Sequence, residues 1–231
     1  MDGQVQVHAI EHLLATRRSC RGFLPDELPQ PLIERILETA QRTASWCNTQ
    51  PWQLSITRAG GTRRLRAALR EAACAGGAQT NGGSDIPFPE AYRGIYLDRR
   101  RDAAFRLFGA VGVARGDRAA SEANAMRNFD LFGAPHVVIV SMPRDLGAYG
   151  AMDCAAWVSN FMLVAHAHGV ASIAQASLAR YSGVLRRHLA IAHDHQVVCG
   201  ISFGVADTAH PANGFRTARA ATDAFVNWVD R

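Results

Sequence analysis

Three short polar clusters hold the side chains of this sequence that could do chemistry. The first is Arg17-Arg18-Ser19-Cys20-Arg21-Gly22-Phe23, with three guanidiniums and a hydroxyl inside five consecutive residues. Guanidinium forks match phosphate oxygens, and a partly buried charge-assisted bond contributes about 1.5–3 kcal/mol. The same residues equally suit a helix C-terminus, where cations meet the negative end of the dipole. The second cluster is Ser45-Trp46-Cys47-Asn48-Thr49-Gln50-Pro51-Trp52. Its amides pair donors with acceptors, as the edge of a heterocycle requires, although such a run is also what a plain loop looks like. The third is Asn213-Gly214-Phe215-Arg216-Thr217-Ala218-Arg219, whose arginines either sit in water or close over a phosphate. Each cluster is weak alone. Their order along one chain gives them weight.

The elements that must position these clusters follow from hydrophobic spacing. A short helix runs to Arg18, with Ile10, Leu13 and Leu14 on one side. From Pro31 to Thr43, Leu32, Ile33, Ile36, Leu37 and Ala40 form one apolar stripe. Pro51 ends the second cluster, and Trp52, Leu54 and Ile56 alternate as a half-buried strand does. Residues 61–75 read as another amphipathic helix, and Gly76 to Phe88 as a loop. Val137 to Val140 is a continuous apolar run of strand type. The most apolar helix spans 148–168, and Asp153, Asn160 and His166 within it favour a core helix at a subunit interface over a membrane span. A short extended piece over 170–174 leads into a helix from about Ser177 to Leu189. Val197 to Val205 is a second strong strand, and the last twenty residues form an arm that could end in a helix. Helices and strands mix without βαβ alternation and without a GxGxxG turn, so the pattern is α+β and not a Rossmann domain.

The totals narrow the classes of function. A chain of 231 residues suffices for one domain with a sizeable core. Its net charge is +5, and arginine supplies all of its basic residues. The longest basic run, Arg99-Arg100-Arg101, has no interleaved aromatics, which argues against a nucleic-acid surface but suits a small anion. The opening residues lack the basic and apolar regions of a secretion signal, so the cytoplasm is the expected compartment. The five cysteines, Cys20, Cys47, Cys74, Cys154 and Cys199, are scattered and include no CxxC pair. His193-Asp194-His195 reads as a solvated turn, so no metal is expected.

Taken together, the clusters resemble the FMN-dependent nitroreductases, over nearly the whole chain. RRSCRGF resembles the family's RRSxRxF signature, and SWCNTQPW its S-x-x-N-x-Q-P-W motif. Ala174-Gln175-Ala176-Ser177 stands where the family places the backbone that meets the flavin edge, and GISFGVAD with its arginine-bearing arm resembles the closing strand and tail. The resemblance implies a central mixed, mostly antiparallel sheet flanked by helices. It implies a single domain over residues 1–231, with 76–134 as a variable region over the substrate and 209–231 as a C-terminal arm. It also implies an intertwined homodimer. By the same resemblance, Arg17, Arg18, Ser19, Arg216 and Arg219 hold the phosphate end of FMN. Arg21 lies at the pyrimidine edge of the ring and tunes its potential. Ser45, Trp46, Asn48 and Gln50 belong to the cofactor site, with Ser45, Trp46 and Asn48 reaching it from the partner subunit. The N–H groups of Ala176 and Ser177 face the hydride-accepting edge. The implied activity is ping-pong transfer of hydride from NAD(P)H to a nitroaromatic, quinone or similar flat acceptor, with no catalytic side chain beyond the flavin. A dehalogenase, enone reductase or flavin reductase on the same scaffold, or a redox sensor without turnover, are the alternatives. Two departures bear on the acceptor site: Ala44 stands where many members have proline, and Trp46 is larger than the usual residue there.

Overall fold

The computed structural model describes residues 3–78 and 82–230. Four strands, β1 (Gln53–Thr57), β2 (His136–Pro143), β3 (Ala171–Gln175) and β4 (His195–Gly204), form one sheet in the order β1-β2-β4-β3. All three pairings are antiparallel, and a register shift interrupts β2 against β4 between Val140 and Ser141.

The apolar run of β2 exists because helices cover both faces of the sheet. Val138, Val140 and Met142 point into one core with Ile33 and Ile36 of α2 (Gln30–Ala40) and Trp157 and Phe161 of α6 (Gly147–Ala167). Val137 and Ile139 point the other way, toward Leu65 and Leu69 of α3 (Ala59–Cys74) and Leu185 of α7 (Ser182–Leu189). Trp157 stacks on Phe161 at 5.1 Å between centroids, and Phe161 meets Phe203 of β4 edge to face at 5.5 Å. Gly200 lets the second layer close in, since a Cβ there would lie 2.6 Å from Leu178 Cδ1.

The expected elements are present with small changes of boundary, including α1 (Gly3–Thr16). The helix expected from Ser177 is split into a 3-10 segment, Ala176–Tyr181, and α7. The arm ends without a helix among the described residues and carries only a 3-10 turn, Thr222–Ala224. Two helices were not foreseen: α4 (Gly94–Val111) and α5 (Arg118–Met126), neither with a buried residue. Among the described residues no helix is long and apolar enough to cross a membrane.

Candidate active site

The first cluster follows α1 and is fastened to the sheet at both ends. Ser19 bridges Ser172 of β3, where the Cys20 N–H donates to the Ser172 carbonyl at 3.1 Å. Beyond the turn, the Leu24 N–H donates to Val205 O at 2.9 Å and the Asp207 N–H to Gly22 O at 3.0 Å. The residues after β4 therefore run beside this turn. They lead directly into the arm that carries Arg216 and Arg219.

The result is a cleft of about 350 Å³ lined by Arg17, Arg18, Ser19, Arg21, Arg216 and Arg219, with Phe215 and with Ala103 of α4. Six of the site residues expected from the sequence thus meet in one place. Five of them are cations, no acidic residue lines the cleft, and among the described residues none of the five pairs with a carboxylate. Arg17 Nη1 is buried without a hydrogen-bond partner. Burial and the nearby Arg219 hold the Arg17 guanidinium below its usual pKa. Burial does the same to Arg21, opposed by Cys20. Arg17 and Arg18, after burial, also hold down the pKa of His166, whose Nε2 lies 2.8 Å from Thr16 Oγ1. Desolvated like charges without counterions call for an anionic ligand.

Among the described residues, the guanidiniums of the arm bond only to their own segment. Arg216 Nη1 donates to the carbonyls of Asn213 and Phe215, and Arg219 Nη1 to Thr217 Oγ1 at 2.9 Å. Arg21 lies over the Phe215 ring at 5.5 Å.

The second cluster lies apart from this cleft within one chain. Its turn, Trp46–Asn48, rests on α6: the Trp46 N–H donates to the Asp153 carboxylate at 3.1 Å, and the Trp46 and Tyr149 rings meet edge to face at 4.3 Å. Cys47, Asn48 and Gln50 all have positive φ, at 48°, 57° and 46°. Three such non-glycine residues in four positions mark stored backbone strain, a feature that concentrates at functional sites. Ser45 Oγ accepts from the Gln50 N–H at 2.9 Å, and the Gln50 side chain is engaged with Gln41 and with the Asn48 carbonyl. Gln41 also accepts from Trp52 Nε1 at 2.9 Å, so the loop is braced from α2. Asn48 and Trp46 remain exposed.

Ala176 and Ser177 open the 3-10 segment directly after β3. The first N–H groups of a helical turn have no acceptor within that turn. Below them Gln175 is buried and donates to the Asn128 carbonyl at 2.9 Å.

The model of the Nitroreductase family matches residues 14–205. The chain belongs to that family. Nitroreductase NfnB of Mycolicibacterium smegmatis is 34% identical over 213 residues, covering 92% of this chain and 89% of its relative. A 4-nitrobenzoate reductase of Nocardioides sp. is 29% identical over 224 residues, covering 96% of this chain and 91% of its own. Among solved structures, FMN-dependent NfnB from Mycobacterium smegmatis in complex with NADPH superposes with a TM-score of 0.90. That pair is 31% identical, covering 97% of this chain and 99% of the other. The α+β nitroreductase fold expected from the sequence is therefore the fold observed.

Several residues of this nitroreductase site had no role assigned from the sequence. Asn213 Oδ1 accepts from the Arg21 N–H at 2.7 Å, and its Nδ2 donates to the carbonyls of Gly22 and Asp207, both at 2.8 Å. Arg127 Nη2 donates to Arg21 O at 3.0 Å, and its Nη1 lies 2.7 Å from His210 Nε2. Gly22 packs so tightly that a Cβ would fall 2.3 Å from His210 Cγ.

Proposed function

We propose that the chain is an NAD(P)H-dependent FMN oxidoreductase that reduces nitroaromatic, quinone or similar flat organic acceptors as a homodimer. The observation that carries this reading is Arg17 Nη1, buried and unpartnered in a cleft of five arginines with no acidic residue. The phosphate of FMN fits that donor set. Arg17, Ser19, Arg216 and Arg219 would hold it, with Arg18 beside them. FMN would supply the two-electron chemistry that no side chain of the cleft offers. Arg21 contributes a fixed, half-buried cation that favours negative charge on the adjoining ring. Ala176 and Ser177 offer backbone donors to the ring edge. The relatives support the reading: NfnB is FMN-dependent and was crystallised with NADPH, and a second relative reduces 4-nitrobenzoate.

In one chain Ser45, Trp46 and Asn48 stand away from the arginine cleft, so they would serve the cofactor of a second copy, on a loop that Gln50 shapes. Exposed apolar surface supports such a pairing. Val5, Ile10 and Leu14 of α1, Tyr149 and Met152 of α6, and Phe225, Trp228 and Val229 of the arm all face outward, more than a lone soluble chain ordinarily leaves open. We read residues 1–231 as one domain, with 76–134 covering the acceptor side. Five free thiols and a nicotinamide donor suit a reducing cytoplasm.

The test is the visible spectrum of the purified protein, before and after anaerobic NADPH and NADH. Flavin bands that bleach with either nucleotide would support the reading and identify the donor. Bound flavin that bleaches only slowly would favour a sensor without turnover. A colourless protein that FMN cannot reconstitute would overturn the cofactor assignment.

A further inference from the structure

We infer that Asn213 is a positioning residue that sets the placement of Arg21 and joins the two walls of the arginine cleft. The inference rests on the flavin reading of that cleft. Asn213 is 4% exposed, and all of its amide capacity toward the turn is used. Its Oδ1 accepts from the Arg21 N–H, and its Nδ2 donates to Gly22 O on the other side of the same residue and to Asp207 O. Arg127 holds the remaining polar group, the Arg21 carbonyl. Both peptide groups flanking the Arg21 Cα are therefore held by side chains 192 and 106 residues away in sequence.

The backbone being fixed, the guanidinium has a short list of places to go. Phe215, two residues beyond Asn213, underlies it at 5.5 Å. The carbonyl of Asn213 meanwhile accepts from Arg216 Nη1 at 3.0 Å. One residue thus touches the turn that bears Arg21 through its side chain and the arm that bears Arg216 through its backbone. Asparagine suits the place because it alone offers one acceptor and two donors at this length. Aspartate would set a carboxylate oxygen against two carbonyls, and alanine would leave the Arg21 N–H without its partner, while the Gly22 and Asp207 carbonyls keep their backbone donors.

A double-mutant cycle tests this. FMN affinity is measured for the wild-type chain, Asn213→Ala, Arg21→Ala and the double variant, with the reduction potential of each bound flavin. Hydrogen–deuterium exchange of residues 17–24 is followed in the ligand-free proteins. Asn213→Ala is expected to weaken FMN about tenfold or more, the equivalent of about 1.4 kcal/mol, and to move the potential in the same negative direction as Arg21→Ala. In the Arg21→Ala background most of that loss should vanish, because there is no guanidinium left to misplace. Exchange over 17–24 should speed up. Equal losses in both backgrounds, or an unmoved potential, would overturn the inference. If Asn213→Ala fails to fold, Arg127→Met loosens the same residue from its carbonyl side and should show the same non-additivity with Arg21→Ala. Should the wild-type chain take up no FMN, the flavin reading falls, and exchange alone decides the clip. Faster exchange over 17–24 in Asn213→Ala would uphold it and unchanged exchange would overturn it.

Discussion

Arg17 keeps a buried guanidinium nitrogen unpaired while Arg219 repels it, so its removal should act in opposite directions on binding and on folding. Arg17→Ala is expected to weaken FMN by roughly tenfold to a hundredfold, the range set by one or two charge-assisted bonds. Riboflavin, which lacks the phosphate, should bind equally to both proteins. The melting temperature of the ligand-free variant should not fall, since the lost donor had no partner and the lost charge was repelled. His136 gives a second expectation at this scale. It is fully buried, its Nε2 accepts from the Leu28 N–H at 2.9 Å, and burial holds its pKa below the ordinary histidine value. The unfolded chain therefore takes up a proton there before the folded one does. Stability should be intact above about pH 6.5 and decline as pH falls below it. Urea midpoints between pH 7.5 and 5.5 should show that slope, shallower in His136→Gln. His166 and His210 are shifted in the same direction, so the variant should retain part of it. At this scale the arginines and the amides stood out through the order of their clusters and the family they resemble, since each cluster alone equally suits a helix end or a plain loop. Asn213 and Arg127 did not. Their roles lie in contacts with the turn at Arg21 and Gly22, which is more than a hundred residues distant in sequence.

Among the elements, β2 and α6 could be read from sequence because burial on a covered sheet and in a core helix leaves unbroken apolar runs. By contrast, α4 and α5 contain no fully buried residue, and Arg99-Arg100-Arg101 within α4 reads as solvent, which masks the half-buried Ala103, Leu107 and Val111 that follow. The positive-φ loop of 47–50 was likewise invisible as strain, because its residues are ordinary and only the backbone is unusual. In the loop before α4, one side chain meets three donors from elsewhere in the fold. Asp85, nearly buried, accepts from Arg144, from Arg186 and from the Val197 N–H, each at 2.7 Å. Burial pushes its carboxyl up, but those three donors outweigh it, and its pKa lies below the usual carboxylate range. Its contribution should be complete at neutral pH and disappear only as pH falls below about 4 and through the lowered value. Asp85→Asn should cost about 1–3 kcal/mol in denaturant unfolding. Most of that falls on Arg186 and the Val197 N–H, since Arg144 is partly in water. Limited proteolysis over 82–88 should speed up in the same variant.

For the whole molecule, the apolar residues left outside one chain bear on assembly. Ending the chain after Arg219 would remove Phe225, Trp228 and Val229 while keeping every arginine of the cleft. The expected outcome is a shift toward monomer in light scattering, measured against the full chain, which the proposed pairing makes a dimer. If both chains show the same number of subunits, the arm does not hold the pair together. The resemblance of the sequence carries the expectation of a pair, but the apolar surface itself could not be read from sequence, because an exposed tryptophan and a buried one are spelled alike.

The cleft of five arginines also has a practical meaning for anyone handling the protein without its ligand. Mutual repulsion among guanidiniums with no carboxylate nearby is relieved by dissolved anions, so the melting point of the bare chain becomes a property of its buffer. An ion that occupies the cleft only in the folded state raises stability by RT ln(1 + [L]/Kd). Sulfate or phosphate should therefore raise the melting point above its value in an amine buffer of equal ionic strength. Expression in cells short of flavin should give more chain lost to proteolysis. The cofactor that completes the site would also be a main determinant of how long the chain survives.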